Sequence, residues 1–277
     1  MVVISSVAQG TEGTERTVVG VMRERRRILV LDRGNTRLKA FLFEEATLIL
    51  TKVITSEGLS ELAAIVDFSC LDGAIWCSVG PERDPLLEYL YSILGSRLKI
   101  LTSATALPFE VRYGTRTTLG VDRVAAVAGA ISLWPGQQLV VADAGTALTI
   151  DMVSQPLDAP PVFLGGNISP GVSMRLRSLH EHTARLPLVS PCGELPGWGY
   201  DTVTALRCGA VRGAAAEVKV MHDKFEAKTQ CPVRIVLTGG DAALLASALD
   251  DCVLLSQETE LVAYGLLSIY EYTENNE

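Results

Sequence analysis

The chain has 277 residues, of which 48% are apolar and 20% are charged, as is typical of a globular protein. Its length fits two domains of ordinary size, and its net charge of −8 argues against nucleic acid as a general partner. The apolar runs, such as 28–31 and 139–142, are far too short to span a membrane. We therefore expect a two-domain protein that binds neither nucleic acid nor membrane.

Residues 1–27 differ in character from the rest of the chain. They mix Ser, Thr, Gly and Glu, and they carry five arginines against three glutamates, with a basic run at the end. The first residues lack the basic region and the long apolar run of a secretory signal. We interpret 1–27 as a disordered extension or as an over-long start, with Met22 as the true beginning.

Six cysteines are scattered along the chain without a C-x-x-C pair. We interpret them as reduced thiols of a cytoplasmic protein, with a zinc site or a disulfide as the alternative.

A repeated hairpin organises the folded part. Residues 28–43 predict a buried strand, a tight polar turn at 32–36 and a second strand in which apolar and polar residues alternate. The same pattern returns at 139–153, and the aspartates that end the first strands, Asp32 and Asp143, are about a domain's length apart. This repeat indicates two similar halves that face each other across a cleft.

Short strands and helices alternate around the two hairpins. The pattern at 162–172 predicts a strand and a glycine loop that opens a helix. The other predicted strands are 74–80, 99–102 and 233–238, and the last of these turns through Gly239–Gly240 into a further predicted helix. The remaining predicted helices are 82–95, 119–133, 202–228 and 260–272. Asp201 or Thr202 is expected to cap the helix 202–228. The order predicts an α/β fold with mixed sheets flanked by helices, divided into domains 28–135 and 136–277.

Three turns share one design, in which a strand ends, glycines follow, and threonine or asparagine supplies polar groups. They are 32–36, 143–146 and 238–241. Glycine lets a phosphate approach main-chain N–H groups, whereas the carboxylates of Asp32 and Asp143 imply cations between themselves and a nucleotide. The alternative for each turn alone is an ordinary tight turn. The pattern is neither the P-loop nor the Rossmann fingerprint.

A fourth segment, 113–123, directly precedes an alanine-rich helix. Asp122 lies near the helix start, where the dipole keeps a carboxylate ionised and available as a proton acceptor. Arg123 offers a planar fork for a carboxylate. The alternative is that Asp122 caps the helix and Arg123 is solvated.

Together these motifs resemble the type III pantothenate kinases, a family within the superfamily of acetate kinase, sugar kinases, Hsp70 and actin. The resemblance spans roughly residues 28–270, and the order and spacing of its motifs are specific. The motifs are 32–36 with Lys39, 119–123, 143–146, the GGNISPG run 165–171, 183–187, 199–202 and 238–241.

The resemblance implies two ribonuclease H-like halves with a cleft between them. It implies transfer of a phosphoryl group from ATP, with Mg²⁺, to pantothenate in the first step of coenzyme A synthesis, by a homodimer that requires K⁺ or NH₄⁺. The implied nucleotide contacts are Asp32, Gly34, Asn35, Thr36, Lys39, Thr146, Gly239 and Gly240. The implied pantothenate contacts are Tyr113, Gly120, Val121, Asp122, Arg123 and Thr202, with Asp122 as proton acceptor. Asp143 is implied as the ligand of the monovalent cation, and Asp32 is a candidate for Mg²⁺ through water.

Two departures from the family pattern stand out. Arg33 follows Asp32 where an aliphatic residue is usual, and the proline that often follows the tyrosine motif is missing after Tyr113. The apolar face of helix 202–228 fits a subunit contact or an internal core. The functional alternatives are another small-molecule kinase of the superfamily and a non-catalytic regulatory relative.

Overall fold

A computed structural model describes residues 25–34, 37–55, 58–79, 84–249 and 254–276. The strands in these ranges are β1 (Arg27–Arg33), β2 (Leu38–Glu44), β3 (Thr47–Ile54), β4 (Gly73–Ser78), β5 (Leu98–Ile100), β6 (Glu110–Val111), β7 (Gln138–Ala144), β8 (Ala147–Ser154), β9 (Val162–Pro170), β10 (Val233–Thr238) and β11 (Leu255–Gln257). The α-helices are α1 (Gly58–Ala63), α2 (Pro85–Leu94), α3 (Val121–Leu133), α4 (Val172–Glu181), α5 (Thr202–Thr229), α6 (Ala242–Ala246) and α7 (Leu261–Glu274). No described helix is both long enough and apolar enough to cross a membrane.

The strands form two sheets of matching topology. The first has the order β3-β2-β1-β4-β5, and the second repeats it as β9-β8-β7-β10-β11, with β6 added beside β9. In each sheet the leading strand is antiparallel to its hairpin partner and parallel to the strand on its other side. The predicted α/β class, with two similar halves and mixed sheets flanked by helices, is therefore confirmed.

Helices α3 and α7 lie between the two sheets. One apolar cluster joins the inner faces of both sheets to these helices, and it includes Val30 and Phe41 from the first sheet and Val141 and Val236 from the second. A second cluster packs α1 and α2 on the outer face of the first sheet, and a third packs α4, α5 and α6 on the outer face of the second. The molecule thus has five layers, with the α3–α7 pair in the middle.

Glycines allow the backbones of α3 and α7 to touch. A Cβ at Gly265 would overlap the carbonyl oxygen of Ala125, and a Cβ at Gly129 would overlap that of Leu261. These clashes would involve backbone atoms, which cannot rotate away as a side chain can. The two halves are therefore joined by a helix crossing that depends on the absence of side chains at two positions.

Helix α5 begins as its sequence predicts. Asp201 is the N-cap, since its carboxylate accepts a hydrogen bond from the backbone N–H of Thr204 at 2.7 Å. The Thr204 hydroxyl in turn accepts from the backbone N–H of Asp201 at 3.1 Å, which completes a capping box. Thr202 is the first residue of the helix proper.

The glycine loop predicted within 162–172 is wrong. Strand β9 continues through the glycines to Pro170 and pairs with β8 along its length. Gly165 has a φ of 103°, and the register shifts beside it, so that Leu164 is the extra residue of a β-bulge. The glycines therefore mark an irregular strand rather than a loop.

Several short elements were not predicted, namely β3, β6, β11 and α1. Strand β6 lies at 110–111 but pairs with β9 of the second sheet, and α7 packs against β1 and β4 of the first. The division at 135/136 stays a prediction. The predicted extension lies outside the described residues except for 25–27, and β1 begins at Arg27.

Candidate active site between the two sheets

Asp32 lies near the carboxyl end of β1, on the inner face of the first sheet. Side chains alternate along a strand, so Asp32 points to the same side as Val30, which belongs to the inner core. Its register partner on β2 is Lys39, which points inward for the same reason. Arg33 points to the opposite side and pairs with Asp84 at 2.8 Å, so its charge does not face Asp32.

The first turn is tight where it is described. The backbone N–H of Gly34 donates to the carbonyl oxygen of Arg37 at 3.0 Å. The predicted contacts Asn35 and Thr36 lie outside the described residues.

Asp143 occupies the equivalent place in the second sheet. It follows the inward-facing Val141 on β7, and its register partners are Thr149 on β8 and Thr238 on β10. Both register partners of Asp143 are threonines, whereas the register partner of Asp32 in the first hairpin is Lys39. The central strands of the two sheets therefore each direct one aspartate into the space between them, but only the first aspartate has a basic register partner.

Two glycine turns enclose the end of β7. Gly239 has a φ of 88°, and a Cβ there would overlap the carboxylate of Asp143 and lie 2.6 Å from the carbonyl oxygen of Ala144. Gly240 has open space around it. Gly171 packs on the turn between β7 and β8, where its backbone N–H donates to the carbonyl oxygen of Thr146 at 3.1 Å. Thr146 remains exposed, so this turn is rigid yet accessible.

Asp122 enters the same space from helix α3. The N-cap of α3 is Gly120, followed by Val121, so Asp122 is inside the first turn and does not cap the helix. A Cβ at Gly120 would lie only 2.5 Å from Oδ1 of Asp122. A residue without a side chain is therefore needed at this position. That Oδ1 accepts a hydrogen bond from the backbone N–H of Arg123 at 2.8 Å.

The three carboxylates interact electrostatically. Burial raises the pKa of Asp32 to about 6, with Lys39 opposing the rise and Asp122 adding to it. Burial also raises the pKa of Asp143 to about 6, with Asp122 and Asp32 adding to the rise. Burial is the main cause and repulsion between the carboxylates adds to it, because both favour the neutral carboxyl form. The sequence-predicted residues Asp32, Lys39, Asp122 and Asp143 are thus brought into one site.

This cluster fits bound cations. Within the described ranges, no three His, Cys, Asp or Glu side chains come close enough together to hold a metal ion by themselves. Mg²⁺ often takes one or two carboxylates and completes its shell with water and phosphate oxygens, and carboxylates also suit K⁺. Asp122 adds to the raised pKa values of both Asp32 and Asp143, and a cation bound beside these carboxylates would lower those pKa values.

Residues 28–224 match the sequence profile of a family described as type III pantothenate kinase. The chain belongs to the type III pantothenate kinase family. Relatives of the same description support this membership over most of the chain. The type III pantothenate kinase of Porphyromonas gingivalis strain W83 is 36% identical over 247 residues, covering 88% of this chain and 98% of the relative. That of Bacteroides fragilis strain YCH46 is 35% identical over 244 residues, covering 88% and 97%.

Two solved structures share the fold. A conserved Baf family protein from Campylobacter jejuni, named as a transcriptional activator, has a TM-score of 0.55 at 21% identity and covers 89% of this chain and 99% of its own. Component A of the (R)-2-hydroxyglutaryl-CoA dehydratase of Acidaminococcus fermentans has a TM-score of 0.50 at 14% identity, covering 91% and 98%. At these identities the likeness shows the fold alone.

Tyr113 and Arg123, which the family resemblance assigns to the acceptor, lie together beside the carboxylates. The Arg123 guanidinium stands over the Tyr113 ring at 5.4 Å from its centroid. Arg123 is nevertheless buried rather than solvated, with 5% of its surface exposed, and it forms an ion pair with Asp151. Thr202, the remaining predicted acceptor contact, is exposed at the start of α5.

Asp151 and Phe163 both contact Arg123 beside the candidate site and were missed in the sequence. Asp151 is a single charge within the apolar strand β8, and a buried charge needs a partner. That signal was present, but its partner Arg123 lies 28 residues earlier on a helix. Phe163 gave no signal beyond that of a core residue.

Proposed function

We propose that the chain transfers the γ-phosphoryl group of ATP to the primary hydroxyl of pantothenate, giving 4′-phosphopantothenate and ADP. The observation that carries this proposal is the convergence of Asp32, Asp122, Asp143 and Lys39 between two glycine-rich turns. The sequence relatives named as pantothenate kinases supply the acceptor. We also propose a cytoplasmic location, which agrees with the free thiols of the five described cysteines.

In this reaction the pantothenate oxygen forms a bond to the γ-phosphorus as the bond to the ADP oxygen breaks. The hydroxyl proton passes to the carboxylate of Asp122, which enters the site from the first turn of α3. Lys39 places a positive charge beside the terminal phosphate, and the turns at Gly34 and Gly239–Gly240 admit the phosphate chain to main-chain N–H groups. The protein thus contributes chiefly position and charge.

Cations complete the charge balance in this proposal. Asp143 would hold K⁺ or NH₄⁺, and Asp32 would meet Mg²⁺ through water. When bound, these ions neutralise negative charge on the phosphoryl oxygens. Activity should depend on added K⁺ or NH₄⁺, and an enzyme equally active in Na⁺ alone would contradict the cation assignment.

We propose a homodimer as the working unit, but the apolar face of α5 gives no support for a subunit contact. Leu206, Ala210, Val211, Ala214, Val218 and Phe225 pack inside the second half, which leaves Val203 exposed. Better support comes from the loop 183–200, which exposes Leu188 by 61%, Trp198 by 81% and Tyr200 by 65%. Arg207 and Arg212 hold this loop by hydrogen bonds to carbonyl oxygens between residues 190 and 196. An ordered apolar surface next to Thr202 suits a subunit contact.

A substitution can test the dimer against a matched control. Trp198→Asp should shift sedimentation towards monomer and lower activity on dilution. Leu157→Asp removes a side chain that is 94% exposed in the turn between β8 and β9, and it should change neither. A wild-type monomer with full activity at assay concentration would rule out the dimer as the working unit.

The proposed reaction is tested by coupled ADP release with three acceptors: pantothenate, acetate and a hexose. We expect turnover with pantothenate alone and a product that is heavier than pantothenate by one phosphoryl group. Turnover with acetate or the hexose instead would favour another kinase of the superfamily. ADP release with none of them, together with full folding, would favour a non-catalytic relative.

A further inference from the structure

A buried ion pair lies beneath the acceptor side of the site. Asp151 on β8 is 1% exposed and Arg123 on α3 is 5% exposed. The Nε atom of Arg123 donates to Oδ2 of Asp151 at 3.1 Å, and its Nη2 atom donates to Oδ1. Two parallel hydrogen bonds fix both the position and the rotation of a guanidinium plane.

Two aromatic rings hold the same guanidinium. It lies 5.4 Å from the centroid of the Tyr113 ring and 5.8 Å from that of Phe163. The two rings are stacked, with centroids 6.4 Å apart and planes 9° from parallel. Because the guanidinium contacts both rings, its placement by Asp151 also defines the environment of Tyr113.

The glycine pair of β9 makes room for this arrangement. A Cβ at Gly166 would lie 2.5 Å from Oδ1 of Asp151, and a Cβ at Gly165 would lie 3.4 Å from the Tyr113 ring. Gly166 therefore leaves room for the carboxylate of Asp151. The reason for Gly165 is its φ of 103°, a conformation that favours glycine.

We propose that Asp151 is a positioning residue for the acceptor, which acts by holding Arg123, and through it Tyr113, in the geometry that binds pantothenate. The inference rests on the proposed function. In this view Asp151 makes no contact with the nucleotide, since its carboxylate is paired with the guanidinium of Arg123, which lies on the acceptor side. Loss of its charge should therefore weaken acceptor binding selectively.

The test compares Asp151→Asn with a control of similar burial. Gln155 is 5% exposed, and its side chain donates to the carbonyl oxygens of Trp134 at 2.9 Å and Gln137 at 2.8 Å, so Gln155→Leu removes structural hydrogen bonds only. Asp151→Asn should raise the KM and Kd for pantothenate about tenfold or more and change the KM for ATP less than about twofold. Gln155→Leu should change neither constant, even if its Tm falls. Unchanged pantothenate constants in Asp151→Asn, or equal rises for both substrates, would overturn the proposal.

A double-mutant comparison covers the case in which Asp151→Asn alone fails to fold. Arg123→Gln and Arg123→Gln/Asp151→Asn both lack the buried positive charge, and the double variant restores a neutral pair. If Asp151 acts only through Arg123, the two variants should have the same Kd for pantothenate by calorimetry. A further rise of about tenfold in the double variant would show an independent action of Asp151 and refute the proposal.

Direct binding also separates this proposal from the proposed function. A wild-type chain that binds pantothenate without turnover would refute the proposed reaction but leave the effect of Asp151 measurable as a change in Kd. A wild-type chain that binds no pantothenate would refute both.

Discussion

The two hairpins have the same topology but different electrostatic surroundings. Asp32 of the first is paired in register with Lys39, whereas Asp143 of the second is paired with Thr149. Lys39 opposes the rise in pKa at both aspartates, while Asp143 has more carboxylates around it, which add to the rise that burial causes there. The comparison teaches that duplicated backbones need not carry duplicated chemistry. We propose that one copy meets a phosphate and that the other holds a cation from solution.

The largest expected effect on activity is that of Asp122, which lies between the two hairpins. Asp122→Asn keeps the shape of the side chain but removes the proposed proton acceptor, so kcat should fall by about 10²-fold or more. The measurement is steady-state turnover together with a melting curve that shows intact folding. Asp223→Asn, on the exposed surface of α5, is the control that should keep normal turnover. Near-normal activity of Asp122→Asn would mean that the site formed by the two hairpins works without the carboxylate of Asp122.

The next effect tests how the two halves are joined. Gly265→Ala places a Cβ on the backbone of α3, so we expect a loss of about 1–3 kcal/mol in the free energy of unfolding. Gly209→Ala on α5 has no atom within 4 Å of its new Cβ and should be neutral or stabilising by about 0.5–1 kcal/mol. Chemical denaturation measures both. Equal stability of the two variants would contradict the close crossing of α3 and α7.

Exchange of the register partners tests the comparison directly. Lys39→Thr should lower kcat/KM for ATP about tenfold, because the terminal phosphate loses a charged partner. Thr149→Lys should place an ammonium group opposite Asp143 and weaken the dependence on K⁺ or NH₄⁺.

Turnover in K⁺ and Na⁺ buffers measures the exchange, and Thr149→Val is the uncharged control that should keep the dependence. If Thr149→Lys needs K⁺ as much as the wild type does, the register partner is not what distinguishes the two hairpins.

The smallest effect is a pH dependence of stability. The folded pKa values of Asp32 and Asp143, about 6, lie above the ordinary value of 3.8. The folded state therefore binds protons more tightly, and the stability that this provides is lost as pH rises through about 6. In buffer free of K⁺, Mg²⁺ and nucleotide, Asp143→Asn should raise the stability at pH 7.5 by about 1–2 kcal/mol and have little effect at about pH 3.5, below the ordinary pKa of 3.8. Melting curves that are identical for both proteins at both pH values would show that Asp143 is not destabilised by its surroundings.

The parts of the fold that were predicted are those whose signals are local. Both hairpins and the long helix α5 combine strong periodicity with turn or cap residues, and the structure confirms them. Strand β3 was missed because it is largely exposed, and β6 and β11 have only two and three residues. The 165–171 segment was assigned to a loop because glycine usually breaks a strand, whereas here Gly165 provides a positive φ within the strand and Gly166 leaves room for the carboxylate of Asp151.

In the candidate site, too, the residues that were predicted have local signals and those that were missed depend on long-range contacts. Asp32, Asp122 and Asp143 each follow a recognisable local pattern, which made them visible one at a time. The pair of Arg123 with Asp151 depends on the packing of α3 against β8, and no spacing in the sequence specifies that contact. Long-range pairs of this kind become visible only when the sheet and the helix are placed together.

The position of α7 has a consequence for folding during synthesis. Both hairpins leave the ribosome early, yet the core between the sheets lacks one of its two central helices until residues 261–274 have emerged. We expect the nascent chain to hold two incomplete halves with their inner faces exposed, and to close in a late step. The start of α3, and Asp122 with it, would reach its final place only then. Residues 261–274 would thus complete a candidate site whose own residues were made earlier.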